Sequence, residues 1–342
     1  MKILIDIKHP AQLNLFKNLA KDLTSEGWEV TISYLDRGKL PNIIEREYKD
    51  FKKIKVGRSR GSKWSIIWEG NVTRVFDFLR LIAKERYNIV IAASSLPLAF
   101  AAYVSHTPVI QFYDDPERKN INRFNALLSN KLYYPPIVER TKKIDLFNCL
   151  KEWSYLSPKR FKPSEAVLQE YGLRANEYVF IREVSNKSFN YFDQSPFVIA
   201  AFAKDINQRY KIVLSLEDKS IRDQYPKEWI ILQEPVSDIH SLIYYSKLVL
   251  SSGDSMAREG GMLGVPAIYC GFREMRANRM LMDEGILRHL PGNAALPAVN
   301  DIIQKSFDPA AQDELRNNLQ SKWDDMVQFM KSRINEYKKV SK

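Results

Sequence analysis

The sequence predicts two doubly wound α/β halves, each a parallel sheet covered by helices on both faces. Three observations predict it. Short apolar, β-branched runs alternate with amphipathic helical runs along most of the chain. That alternation lapses once, in a proline-bearing stretch near the middle, and 342 residues exceed the ordinary size of one domain.

The elements follow in order. Residues 3–7 read as a buried strand, ended by Lys8-His9-Pro10. A helix comes next, with Leu13, Phe16, Leu19, Ala20 and Leu23 on one face and Gly27 just past its end. Strands are expected at 29–34, 51–56, 89–93 and 109–113, with helices at 65–84, 96–104 and 120–129. Periodicity then fails among Pro135, Pro136, Pro158 and Pro163, so the chain is divided there into 1–163 and 164–342. A second strand–helix series runs through 178–181, 196–206, 211–216, 229–232, 240–245, 247–251, 255–263 and 266–270, and a charged helical tail, 310–339, closes the second half. Two such halves place a ligand in the cleft between them, beyond the carboxyl ends of both sheets.

Composition narrows the class. The chain is 45% hydrophobic, enough for a core in each half, yet no apolar run approaches the roughly 20 residues that span a bilayer. Lys2, Asp6 and Lys8 make the start a poor signal peptide, so a cytoplasmic location is expected. Cys149 and Cys270 stand apart and without metal-ligand spacing, which speaks against a zinc site or a disulfide scaffold. The net charge of +11 suits an anionic partner: nucleic acid, a membrane surface or a phosphorylated substrate. Residues 37–63 hold ten basic side chains against three acidic ones, with Trp64, Ile66, Ile67 and Trp68 directly after them. That pattern suits peripheral contact with the inner face of a membrane; it equally reads as a solvated face followed by a helix that buries its tryptophans.

The stretch 248–268, LVLSSGDSMAREGGMLGVPAI, is the most informative. An apolar strand ends in small polar residues that permit a tight turn, and a helix begins at Asp254 or Ser255, either of which suits a cap. Unpaired amides and the positive end of the helix dipole make an anion site suited to a diphosphate. Glu259 lies one turn in, where a carboxylate accepts hydrogen bonds from ribose hydroxyls. Arg258 diverges from it by about 100° and need not face a ligand. Gly264 reads as the C-terminal cap and Pro266 as the stop. The spacing is neither that of a dinucleotide fingerprint nor that of a P-loop. An ordinary strand–turn–helix with a serine cap is the plain alternative.

This segment resembles the sugar-nucleotide segment of GT-B glycosyltransferases and of UDP-N-acetylglucosamine 2-epimerases, and looks closest to the domain-of-unknown-function 354 family. Residues 3–11 (ILIDIKHPA), 16–20 (FKNLA), 155–163 (YLSPKRFKP) and 178–182 (YVFIR) resemble that family too, in its order and over most of the chain. The resemblance implies a GT-B-like pair of Rossmann-like domains and a nucleotide-diphosphate sugar, a UDP-sugar first, as donor. It implies phosphate contacts at Ser252, Gly253, Asp254 and Ser255 and a ribose contact at Glu259, with Met256 counted among the nucleotide-sugar-binding residues. It implies no catalytic metal and no further cofactor. Gln12 and Asn14 depart from the family picture, standing where further histidines are expected, and Asp254 adds a negative charge beside the phosphates.

Other residues complete the candidate site. His9, at the end of the first strand, suits a base for an acceptor hydroxyl, or a structural histidine before proline. Arg182 ends a strand where it can neutralise a leaving diphosphate, or pair with Glu183; Lys187 is a weaker candidate for the same work. Asp114 and Asp115 suit acceptor contacts or a helix-entry turn. Arg273, Arg276 and Asn278 follow a strand near the expected sugar position. His106 and His240 show no particular chemistry, and His289 is placed near the cleft. The leading reading is an inverting glycosyltransferase acting on a saccharide or lipid-linked acceptor in cell-envelope polysaccharide assembly, with domain closure bringing donor and acceptor together. A 2-epimerase using Asp114, Asp115 and Glu183 comes second. A non-catalytic basic protein binding a membrane or nucleic acid comes third, without any nucleic-acid-binding signature, so no nucleic acid partner is expected.

Overall fold

A computed structural model describes residues 1–58, 71–185, 197–233 and 236–337. Trp64, Ile66, Ile67, Trp68, Arg60, Lys63 and Lys187 lie outside the described residues. The chain divides into one unit of Met1–Arg160 with Lys322–Lys342, and another of Phe161–Ser321.

In the first unit seven parallel strands run in the order β3-β2-β1-β4-β5-β6-β7: β1 (Lys2–Ile7), β2 (Glu29–Asp36), β3 (Lys52–Arg58), β4 (Ile89–Ala92), β5 (Val109–Phe112), β6 (Lys131–Tyr134) and β7 (Ile144–Leu146). The central strands are apolar on both faces, as a sheet covered twice requires. Helices α1 (Pro10–Ser25), α2 (Leu40–Glu47), α3 (Thr73–Glu85), α4 (Leu96–Val104) and α5 (Lys119–Leu128) connect the strands. The short α6 (Trp153–Leu156) ends the first segment of this unit. Strand order reverses at β1, so the β1/β4 gap is the switch point.

One buried polar cluster fastens that point. Asp6 on β1 accepts from Arg74 at 2.5 Å, from Ser33 at 3.0 Å and from Ser95 at 2.7 Å, while Arg74 Nε donates to the Val56 carbonyl at 3.0 Å. Both charges are about 1% exposed, so their desolvation is offset only because nearly every lone pair and proton has a partner.

The second unit holds six parallel strands in the order β10-β9-β8-β11-β12-β13: β8 (Tyr178–Glu183), β9 (Lys211–Leu216), β10 (Ile230–Ile231), β11 (Leu248–Ser251), β12 (Ala267–Tyr269) and β13 (Arg288–His289). Its helices are α7 (Ala166–Glu170), α8 (Ile239–Tyr244), α9 (Asp254–Met262), α10 (Arg276–Asp283), α11 (Leu296–Gln304) and α12 (Pro309–Lys322). Here the order reverses between β8 and β11, the strands that lead into Arg182 and Ser252.

Several expectations change. The helical tail is two helices, α12 and α13 (Met326–Glu336), and only α12 stays with the second unit. Asp325 breaks the tail by capping α13, accepting from the amides of Val327 and Gln328. Trp323 meets Trp153 edge-on at 5.2 Å, and Phe329 packs on Tyr133 and Phe147 of the first unit. The helix expected at 196–206 is a 3-10 turn, Ala200–Asp205. The strand expected at 229–232 shrinks to Ile230–Ile231. Among the described residues no helix is long and apolar enough to cross a membrane.

The basic stretch also reads differently once folded. Lys53 pairs with Glu45, Lys52 with Glu85, Arg46 with Glu47, and Lys55 and Arg58 with Asp36. Much of the positive charge counted at 37–58 is thus locally answered.

Candidate functional site

The turn from β11 into α9 lies at the second switch point. Its N-cap is Gly253, extended at φ −105° and ψ 135°, so the helix begins one residue earlier than a cap at Asp254 or Ser255 would give. A glycine brings no side chain of its own to cap the helix. Ser251 Oγ takes the Gly253 amide at 3.0 Å and donates to the Gly253 carbonyl at 2.7 Å, which locks the turn. The amides of Ser255 and Met256 follow in the first turn, where no intrahelical acceptor reaches them.

Two glycines let helix α9 lie close to strand β11 on one side and to the loop before β13 on the other. A Cβ on Gly260 would stand 2.8 Å from Val249 Cγ2, and one on Gly261 would stand 2.9 Å from Ile286. Gly264 ends the helix at φ +76°, as a left-handed terminal position requires.

Ser252 is not placed as a phosphate ligand through its hydroxyl. It is buried, donates to Glu183 Oε1 at 2.5 Å and accepts from the Val184 amide at 2.9 Å. Glu183 also accepts from Tyr225 Oη at 2.7 Å and the Ile199 amide at 2.8 Å; burial, and then the Glu183 carboxylate, pushes the Tyr225 phenol far upward. Glu183 therefore holds the turn rather than pairing with Arg182. Arg182 points to the other face of β8, as alternation dictates, where it donates to Ser215 at 2.9 Å and lies 3.8 Å from Glu217.

Asp254 does not face the helix start uncompensated. Arg273 Nη1 stands 3.2 Å from its Oδ2, and the Arg273 amide donates to Tyr269 Oη at 3.1 Å. Tyr269 in turn stacks on His289 at 4.7 Å, and His289 Nε2 lies 2.8 Å from the Gly271 carbonyl. Arg258 turns away, as expected from helical geometry, and donates to Asn278 at 2.9 Å. Asn278 is buried in that contact, a packing role rather than a sugar contact.

Glu259 sits four residues after Ser255, on the same side of the helix. Sequence reasoning missed its neighbour. His240, second residue of α8, brings Nε2 to 3.6 Å from Glu259 Oε1 and meets Phe161 edge-on. The pairing is long-range in sequence, and only the packing of α8 on α9 reveals it.

In the first unit His9 follows β1 at the first switch point. Gln12, one of the departures, braces it. The Lys8 amide donates to Gln12 Oε1 at 3.0 Å, and Gln12 Nε2 donates to the Ala93 carbonyl at 2.6 Å. Lys8 Nζ donates to the Ser94 carbonyl, and burial followed by Arg74 lowers its pKa to about 8. Crowding by the chain, then the charges of Arg37, Lys151, Lys8 and Arg118, lowers His9 to about 4. The residue still keeps contact with solvent. Asp114 and Asp115 diverge: Asp114 meets Lys151 at 2.5 Å, and Asp115 meets Arg118 at 3.3 Å.

Two all-parallel sheets, each with its residues of interest at the reversal of strand order, define a protein of the GT-B fold class. The chain belongs to the family described as a protein of unknown function, domain of unknown function 354, whose model matches residues 1–339. An uncharacterised protein of Methanocaldococcus jannaschii is 23% identical over 291 residues, spanning 80% of this chain and 83% of that one. Among solved structures, Staphylococcus aureus MnaA with UDP superposes with a TM-score of 0.70 at 11% identity, covering 99% of this chain and 97% of that one. The spinosyn forosaminyltransferase SpnP gives 0.68 at 12%, covering 98% of each chain. The UDP-N-acetylglucosamine 2-epimerase of M. jannaschii gives 0.67 at 14%, covering 98% of this chain and all of that one. At such identities the likeness shows the fold.

Proposed function

We propose that this chain is an inverting GT-B-type glycosyltransferase that moves a sugar from a nucleotide-diphosphate donor, a UDP-sugar first, to an acceptor hydroxyl. One observation carries the reading: a nine-residue helix that starts at a glycine cap, Gly253, at a switch point, with Glu259 further along the same helix face. Such a start receives a diphosphate, and Glu259, steadied by His240, receives the ribose. The anomeric carbon gains a bond to the acceptor oxygen as its bond to the diphosphate oxygen breaks. The departing electron pair goes with the nucleoside diphosphate, whose charge the first-turn amides offset. His9 takes the acceptor proton. Its ring is neutral at pH 7, held so by crowding and by the cations around it. A saccharide or lipid-linked acceptor, as in cell-envelope polysaccharide assembly, suits the fold class. The scheme calls on no metal.

The 2-epimerase reading shares the fold but needs carboxylates around the sugar ring. Its three candidates are engaged elsewhere: Glu183 in the turn, Asp114 with Lys151 and Asp115 with Arg118. That favours transfer. UDP and UDP-sugars should raise the melting temperature, since a ligand of the folded state stabilises it. If no nucleoside diphosphate moves it, the proposal is wrong. Formation of a new hexosamine from UDP-N-acetylglucosamine alone would replace transfer by epimerisation.

A further inference from the structure

The two helical faces of the first sheet are finished differently. Right-handed connections put α1 and α2 on one face and α3, α4 and α5 on the other. The α1 face receives α6 and α13. The face made by α3, α4 and α5, which pack in that order, keeps large apolar side chains in solvent. Phe76 is 57% exposed, Tyr103 60%, Phe124 56% and Leu127 68%, with Phe100 and Val104 between them on α4. Together they present several hundred Å², more than a scatter of single exposed residues and enough to mark an interaction surface.

The charges around this patch say what covers it. Among the described residues, the exposed charged side chains on and beside α3 and α5 are Arg80, Lys84, Arg86, Lys119 and Arg123, against Glu117 in the turn before α5. Arg80 and Lys84 continue the helical row of Phe76, and Arg123 adjoins Phe124. Of the remaining carboxylates on α3, Asp77 is half-buried and Glu85 is held by Lys52 at 2.8 Å. A two-fold dimer through this face would set one basic rim against another. An anionic lipid surface offers the complementary charge and takes up the aromatic and aliphatic side chains between the cations.

We propose that the α3–α4–α5 face docks the protein on an anionic phospholipid bilayer, lying on it rather than crossing it. The inference goes beyond the enzymatic reading and stands without it. The full chain is sedimented with vesicles of phosphatidylcholine alone or with added phosphatidylglycerol, at low and high salt. Binding is expected only with the anionic lipid, weakening as salt screens it. The pair Phe124→Ser and Leu127→Ser should weaken it about tenfold or more. The pair Arg80→Gln and Arg123→Gln should weaken it about thirtyfold, each cation near the surface contributing on the order of a kilocalorie. Both pairs are at the surface and should leave melting temperature and nucleotide-induced melting shifts unchanged, which separates this test from that of the donor site. Equal binding to neutral vesicles, no binding, or binding untouched by either pair overturns the proposal. So does a dimer in solution that the Phe124 and Leu127 changes dissociate, because a second copy then owns the face.

Discussion

Gly260 offers the sharpest test of how the candidate donor site is built. Replacing it with alanine puts a Cβ 2.8 Å from Val249 Cγ2 and 2.9 Å from Val249 Cβ, where contacts below 3.0 Å force something to move. Val249 is fully buried in the centre of β11, so it cannot swing into solvent. Overpacking of this kind costs about 1–3 kcal/mol. The alanine returns roughly 0.5–1 kcal/mol of helix propensity, leaving a net loss of about 1–2 kcal/mol. For a unit of this size that lowers the melting temperature by about 2–8 °C. The helix moves outward as it yields, carrying the Ser255 and Met256 amides with it, so the melting shift given by UDP should shrink as well. Val249→Ala alone should cost about 2 kcal/mol for its two methyl groups. Combined with Gly260→Ala it removes the Cγ1 and Cγ2 contacts but leaves the Cβ contact at 2.9 Å, so the double variant should recover part of the overpacking cost, up to about 1 kcal/mol relative to the sum. Denaturant melts of the four proteins measure this directly. Strict additivity, or an alanine variant as stable as the parent, would refute the contact and with it the account of how the helix start is positioned.

Glu259→Ala should weaken UDP binding by about tenfold to a hundredfold, the range for hydrogen bonds to a charged group, and leave inorganic pyrophosphate unchanged in calorimetry. Equal losses for both ligands would show that Glu259 does not read the ribose. Glu183→Gln sets an amide donor among the donors Tyr225, Ser252 and the Ile199 amide, so about 1–3 kcal/mol of stability should go, with reduced UDP binding. Arg273→Ala strips Asp254 of its partner 3.2 Å away, and UDP affinity should fall about tenfold; adding Asp254→Asn should restore most of it if the carboxylate is what repels the phosphates. The His9 pKa of about 4 lies below the ordinary 6.5, so the folded protein refuses a proton that the unfolded chain takes up between those values. Stability therefore falls as pH drops through that window, and any transfer activity should show an acidic limb near pH 4 that His9→Gln removes.

The strand–helix alternation carried most of the fold because a doubly covered parallel sheet writes itself as apolar runs, and the helices between are long enough to show their period. What stayed hidden was short or non-local. Strands β7 and β13 have three and two residues and carry Asp145 and Arg288, so neither writes an apolar run, and they take their place only by pairing with neighbours already laid down. The tail looked like one helix because nothing in its helical pattern reports that Asp325 ends one segment and caps the next while Trp323 leaves with the second.

At the site the same division holds, between what a local string dictates and what a distant residue decides. Gly264 was legible because its φ depends on the turn alone. Ser252 shows the opposite case. A serine before a helix suits phosphate on local grounds, and only Glu183, on a strand 69 residues earlier, claims its hydroxyl. His240 was passed over because its significance lies wholly in the 3.6 Å to Glu259. The apolar face of α3, α4 and α5 shows a further kind of concealment. Phe76, Phe100 and Phe124 lie in expected helices, but a sequence gives the spacing of apolar residues and not how many the sheet can cover. Once Phe78, Ile82, Leu98 and Ala101 fill the space above β4 and β5, the remaining aromatics have nowhere left to go but outward.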